Sequence, residues 1–173
     1  MRFASHPRSL VLAALATAAV AILVVGFLLR PARGRAQDAT CTGAPYAEVQ
    51  IDTSPRIDLQ VARTNQEHEV GLMNVEYLPP DSGMVFVYQA EAREGYWMYH
   101  TLIPLSIAWI DKNGTIVDIQ DMARLNDPND VQEASRTVYN PAAPYWYALE
   151  VNRGWFSDHG VGVGQQISFC LGS

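Results

Sequence analysis

Gly95-Tyr96-Trp97-Met98-Tyr99-His100-Thr101-Leu102-Ile103-Pro104-Leu105-Ser106-Ile107-Ala108-Trp109-Ile110 runs directly into Asp111-Lys112-Asn113-Gly114, and the fold turns on how it is read. Residues from Leu105 to Ile110 are apolar at odd and even positions alike, which predicts a strand covered on both faces. Asn113-Gly114 is the strongest short hairpin signal in the chain, so Thr115-Ile116-Val117-Asp118-Ile119 is expected to return beside it. Two Trp, two Tyr and one His then surround this strand. Such side chains combine a large apolar area with a polar handle, so they either fill a sheet core or line a concave ligand site.

Upstream, Ile57, Leu59 and Val61 alternate with Arg56, Asp58 and Gln60, the period of a strand with one wet face. Thr64-Asn65-Gln66-Glu67 is a capping box, which opens a short helix reaching about Met73. Leu78-Pro79-Pro80-Asp81-Ser82-Gly83 turns the chain into a strand at Met84-Val85-Phe86-Val87-Tyr88. Downstream, Ala123 to Ser135 lacks an apolar period, contains Asp127-Pro128-Asn129-Asp130 and reads as a surface loop. Asn140-Pro141-Ala142-Ala143-Pro144 is a stiffer connection into a strand at Tyr145 to Val151. Asn152 is placed to cap a second short helix, which carries Trp155 and Phe156 inward and stops at Gly160. His159 in its last turn complements the helix dipole. Gln165 to Leu171 closes the chain as a strand. Many short strands, two short helices and no strand-helix alternation predict a mainly β domain, a compact sandwich or partly closed barrel.

The chain has 173 residues, which suits one domain and an appendage. Residues 1–8 form a short flank, and 9–29 are uncharged and apolar over a length that crosses a bilayer. Residues 30–46 read as a linker, and 47–173 as the soluble domain. An uncleaved transmembrane signal anchor fits 9–29, because the apolar run is longer than a secretory signal requires and leads into Arg30, Arg33 and Arg35. The alternative is a cleaved signal and a secreted domain. Asp38-Ala39-Thr40 before Cys41 lacks the approach that lipoprotein processing needs. Positive charges on the two flanks nearly balance, so they leave orientation open. Cys41 and Cys170 stand at the two ends of the soluble region, where a bridge would staple it; such a bond persists in an oxidising compartment and places the domain outside the cell membrane.

All 18 acidic residues lie beyond residue 36, where seven of the 12 basic residues remain, leaving a net charge of −11. Phosphate backbones would be repelled, which excludes a nucleic-acid role. The expected partners are the membrane, through residues 9–29, and a small molecule or protein of unassigned chemistry.

Catalytic signatures are missing: no Gly-rich phosphate loop, no Gly-x-Ser-x-Gly, no His-x-x-x-His and no Cys-x-x-Cys. His68 between Glu67 and Glu69 reads as a solvated helix face, so neither a metal nor another cofactor is expected. Asn113-Gly114-Thr115 also spells a glycosylation acceptor, which the turn itself explains. His100, Asp118 and Glu150 sit in or beside apolar segments, where titratable groups shift, and are the candidates for acid/base chemistry. Trp97, Tyr99, His100, Thr101 and Trp109 are the candidate ligand-binding surface. Aromatic density without catalytic signatures points to a binding or interaction module, with an envelope hydrolase or lyase using His100 with Asp118 or Glu150 as the alternative.

Glu69-Val70-Gly71-Leu72-Met73, Gly83-Met84-Val85-Phe86-Val87, Trp97-Met98 through Ile103-Pro104-Leu105-Ser106-Ile107, Ala148-Leu149-Glu150-Val151-Asn152, Gly154-Trp155-Phe156 and His159-Gly160 occur in that order. Together, over about residues 57 to 169, the sequence resembles the prokaryotic family called domain of unknown function 192. That resemblance implies one compact, mainly β domain, often exported or attached behind an N-terminal apolar segment, with no established activity. The family pattern is roughly Phe-Trp-Met-Lys-Asn-Thr followed by Ile-Pro-Leu-Asp-Ile. Here Tyr99 and His100 replace its Lys and Asn, and Ser106 replaces its Asp, so a function relying on that charge pair is not expected.

Overall fold

The computed structural model describes residues 45–49 and 55–172. Seven strands form one sheet: β1 (Tyr46–Val49), β2 (Arg56–Ala62), β3 (Ser82–Ala92), β4 (Leu105–Ile110), β5 (Ile116–Met122), β6 (Tyr145–Asn152) and β7 (Ile167–Cys170). Three short helices accompany them: α1 (Asn65–Val70), α2 (Val131–Arg136) and α3 (Trp155–Asp158). The strand order is β5-β4-β6-β3-β2-β1-β7, so the sequence neighbours β4 and β5 lie at one edge and β1 and β7 at the other. The sheet curls into a half-barrel. Its two edges meet at one corner, where Thr115 bridges Gln166 and Ile116 N–H donates to the Gln165 carbonyl.

β4 is central in the way its sequence predicts. All six of its residues are buried, and it pairs with β5 on one side and β6 on the other. The Asn113-Gly114 hairpin forms, and Gly114 takes φ 85, a torsion in which a Cβ would be strained. The curl separates two cores. Ile57, Val85, Ala108, Ile110, Leu149, Val151 and Ile167 pack inside the half-barrel, plugged by Trp155 and Phe156 of α3. Met84, Phe86, Leu105, Ile107, Trp109 and Ala148 face the other way, beneath the segments that follow α1 and link β3 to β4.

Four local expectations are corrected. Among the described residues there are three helices, because Asp130 caps α2 by accepting from the N–H groups of Gln132 and Glu133 inside the stretch expected to be loop. Six residues with Ala134 as their only buried side chain leave no apolar period to detect. Asn152 does not cap α3: its amide donates to the carbonyls of Leu78 and Pro79, and Gly154 holds the cap position at φ 84. The helix after the capping box ends at Val70, short of Met73. Finally, β2 and β3 run parallel with α1 in the connection, a strand-helix-strand unit that the overall pattern had not suggested.

The anchor at 9–29, most of the 30–46 linker and Cys41 lie outside the described residues. Among the described residues no helix is long and apolar enough to cross a membrane. Cys170 is buried at the end of β7, opposite Tyr46 of β1.

Candidate functional site

In the connection from β3 to β4, Tyr96 bridges to Tyr139 and the chain then turns at Tyr99-His100. Tyr96 and Met98 turn inward, Tyr96 packing edge-on against Phe86 at 5.1 Å and Trp109 at 6.2 Å, while Met98 is fully buried. Trp97 keeps 43% of its surface exposed, while Tyr99 is half-buried and packs against the edge of the outer core. Main-chain bonds fix this path at three points. Tyr96 and Tyr139 exchange bonds of 2.8 Å, His100 N–H donates to the Pro128 carbonyl at 2.8 Å, and Asn74 N–H donates to the His100 carbonyl at 2.9 Å. Gly95 is required here, since a Cβ would stand 2.6 Å from a Val138 methyl and 2.9 Å from the Tyr139 carbonyl.

His100 adopts φ 54, a left-handed torsion that costs a residue with a Cβ roughly 1 kcal/mol. The torsion explains why the family pattern has Asn at this position, because Asn tolerates it best after glycine. Here it aims an imidazole at Tyr99, and the two rings stack at 3.9 Å and 22°. The Trp97 ring lies 5.5 Å from that of Tyr99, tilted by 41°. Three of the five candidate binding residues thus form one row of rings, with Trp97 as its exposed member and Tyr99 and His100 half-buried. The other two do not belong to it. Thr101 is buried with its hydroxyl donating to the Tyr99 carbonyl, and Trp109 is completely buried in the outer core. Both follow from period: Thr101 closes the turn, and Trp109 occupies a strand whose two faces are covered.

Beneath this loop the outer core holds an unpaired indole N–H and a buried carboxyl. The Trp109 indole N–H has no acceptor. Glu150 is 5% exposed, and burial alone raises its carboxyl to about 8, which leaves it protonated at neutral pH. Register explains their proximity: Glu150 sits opposite Ile107 and Trp109 opposite Ala148, so both point from adjacent strands to the same face. Tyr96 covers them, and its phenol is pushed well above its ordinary value, chiefly by burial and then by Tyr88, Tyr145 and Glu150. Tyr96 and Tyr88 share a hydroxyl bond of 2.9 Å, and the Tyr145 hydroxyl donates to the Glu94 carbonyl at 2.8 Å. The sequence reading missed this tyrosine cluster, since no residue-type spacing links Tyr88, Tyr96 and Tyr145 before the sheet brings them together.

The proposed acid/base trio does not assemble through hydrogen bonds. Asp118 accepts from Ile119 N–H, Gln120 Nε2 and Ala142 N–H, tying β5 to the following connection. The His100 ring stacks on Tyr99 and makes no hydrogen bond or ion pair with a described carboxylate. Ser106, where the family pattern has Asp, is buried in β4; its hydroxyl donates to Asp121 and accepts from Gly154 N–H. Asp121 in turn lies 3.6 Å from Arg153, so the acid near this position comes from the neighbouring strand. His68 contacts the Ala62 carbonyl and the Tyr88 ring. Among the described residues no three His, Cys, Asp or Glu gather as a metal site. His159, Trp155 and Asp81 make a separate cluster, in which Trp155 Nε1 donates to Asp81 and the His159 ring stacks on the indole at 4.1 Å.

Fold and site together define a small half-barrel domain with an aromatic loop over its outer core. The chain belongs to the domain of unknown function 192 family, described as an uncharacterized ACR, whose sequence pattern matches residues 47–169. No curated protein matches it. Among solved structures it is similar to a Sinorhizobium meliloti protein provisionally described as a transcription regulator, at 24% identity and a TM-score of 0.64, covering 73% of this chain and 94% of that one. A Novosphingobium aromaticivorans protein of unknown function is similar at 22% identity and a TM-score of 0.64, covering 76% and 97%. Both likenesses concern the fold alone.

Proposed function

We propose that this domain is a binding module held at the outer side of the cell membrane by residues 9–29, and that its ligand seats on Trp97, Tyr99 and His100. The observation that carries this reading is the row of three rings on a loop pinned at three main-chain points. A preformed rigid surface loses little entropy on binding, and aromatic faces supply large contact areas. Both departures from the family pattern in this loop, Tyr99 and His100, build the row.

Outward placement rests on a Cys41–Cys170 bridge. Its support is the absence of a free cysteine among the described residues, and the β1–β7 register, which sets Cys170 opposite Tyr46, close in sequence to Cys41. The decisive experiment captures ligands from membrane extracts with the full tethered chain and with Trp97→Ala/Tyr99→Ala. Species lost from the double variant, with its circular dichroism unchanged, would support the row of rings as the site. An identical captured set would remove it.

A second reading, a hydrolase or lyase, is favoured only by Glu150, a buried protonated acid that could supply a proton. It requires Tyr96 to move aside. Glu150→Gln with intact ligand capture but lost turnover of the captured species would establish it, and retained turnover would end it.

A further inference from the structure

We propose that the group recognised by the Trp97–Tyr99–His100 row is an organic cation, a quaternary or alkylated ammonium; this rests on the binding reading above. The electron-rich faces of indole and phenol attract such groups, most strongly when the cation is poorly hydrated. Their surroundings favour positive charge. The Pro128 carbonyl that holds His100 stands between Asp127 and Asn129, and the Asn74 amide that holds it leads to Glu76, which is exposed. Asp130 and Glu133 follow in the same segment as Asp127. Of the basic residues in these segments, Arg93 pairs with Glu91 and Arg136 bonds to Gln132, while Arg124 is exposed.

No described arginine or lysine covers Trp97 or Tyr99, whereas Arg56 lies 4.2 Å over the Tyr46 ring elsewhere in the molecule. Among the described residues the row carries no cation of its own. The net charge of −11 beyond residue 36 raises the local concentration of cations and lowers that of anions. Anionic ring ligands such as nucleotides meet this charge unfavourably. Neutral sugars would gain stacking but nothing from the electrostatic field.

The test titrates the full chain, held in a polyoxyethylene detergent, by calorimetry with choline, with the neutral carbon isostere of choline, and with a methyl glucoside. Phosphatidylcholine vesicles form a fourth arm that separates a lipid headgroup from a free cation. The expected result is saturable choline binding, weakened by salt, with the isostere at least about threefold weaker and Trp97→Ala about threefold to tenfold weaker. Equal binding of choline and isostere, or binding of the glucoside alone, would overturn the cation assignment while leaving the row of rings as the site. Binding unaffected by Trp97→Ala would remove the site itself. No binding by any probe would overturn the cation assignment.

Discussion

Replacing Glu150 by Gln tests the account of the outer core most directly. Burial raises this carboxyl from its ordinary 4.5 to about 8. At about 1.4 kcal/mol for each tenfold in proton affinity, that difference corresponds to about 5 kcal/mol of folding free energy. Its sign is fixed by which state releases the proton first. Below pH 4.5 both folded and unfolded chains hold it and nothing is lost. Between 4.5 and about 8 the unfolded chain ionises while the folded chain does not, so stability falls as pH rises. Above that window both states are ionised and the loss levels off.

The Gln amide cannot titrate. Its unpaired donors cost about 1–3 kcal/mol at every pH, so the slope of the difference, not its offset, carries the result. The assay is urea unfolding of both full chains at a series of pH values between 4 and 9. Water entry and local relaxation reduce the ideal figure, so the reasoning requires the variant to gain at least about 2 kcal/mol on wild type across the window. Parallel curves, with a difference constant to within about 0.5 kcal/mol, would refute it.

Gly83→Ala is expected to destabilise by about 2–4 kcal/mol in a urea melt, because its Cβ would lie 2.3 Å from the Glu150 carbonyl oxygen in a paired strand. His100→Asn should leave stability unchanged or raise it by up to about 1 kcal/mol, since Asn accepts φ 54 more readily, while abolishing the stack on Tyr99; a clear fall in melting temperature would contradict this. Asp130→Ala should cost about 1 kcal/mol by removing the bonds to Gln132 and Glu133, read as faster hydrogen exchange in α2. Cys41→Ser should abolish the mobility difference between reduced and oxidised protein on a gel and lower stability by roughly 4–5 kcal/mol; two free thiols in the wild-type protein would disprove the bridge.

The elements that were legible in the sequence are those set by neighbours along the chain. The hairpin at Asn113-Gly114, the doubly buried β4 and the capping box of Thr64 and Glu67 depend on residues within one turn or one strand. α2 was not legible, because a six-residue helix held by Asp130 has no apolar face to announce it. Asn152 shows the opposite failure. Its type suits a helix cap, yet the carbonyls of Leu78 and Pro79, more than 70 positions away, are nearer to hand.

At the candidate site, the residue order alone pointed to Trp97, Tyr99, His100, Thr101 and Trp109 as one candidate surface, to an acidic domain, and to Glu150 in an apolar strand. Which of these rings face solvent emerged from the folded sheet. Trp97 and Trp109 are the same residue type in the same aromatic stretch, but one projects from a pinned loop and the other lies inside a strand covered on both faces. Composition fixes how much aromatic surface a chain carries. Which part reaches water depends on what the rest of the sheet lays over it, a matter of long-range pairing that neighbouring residues cannot encode.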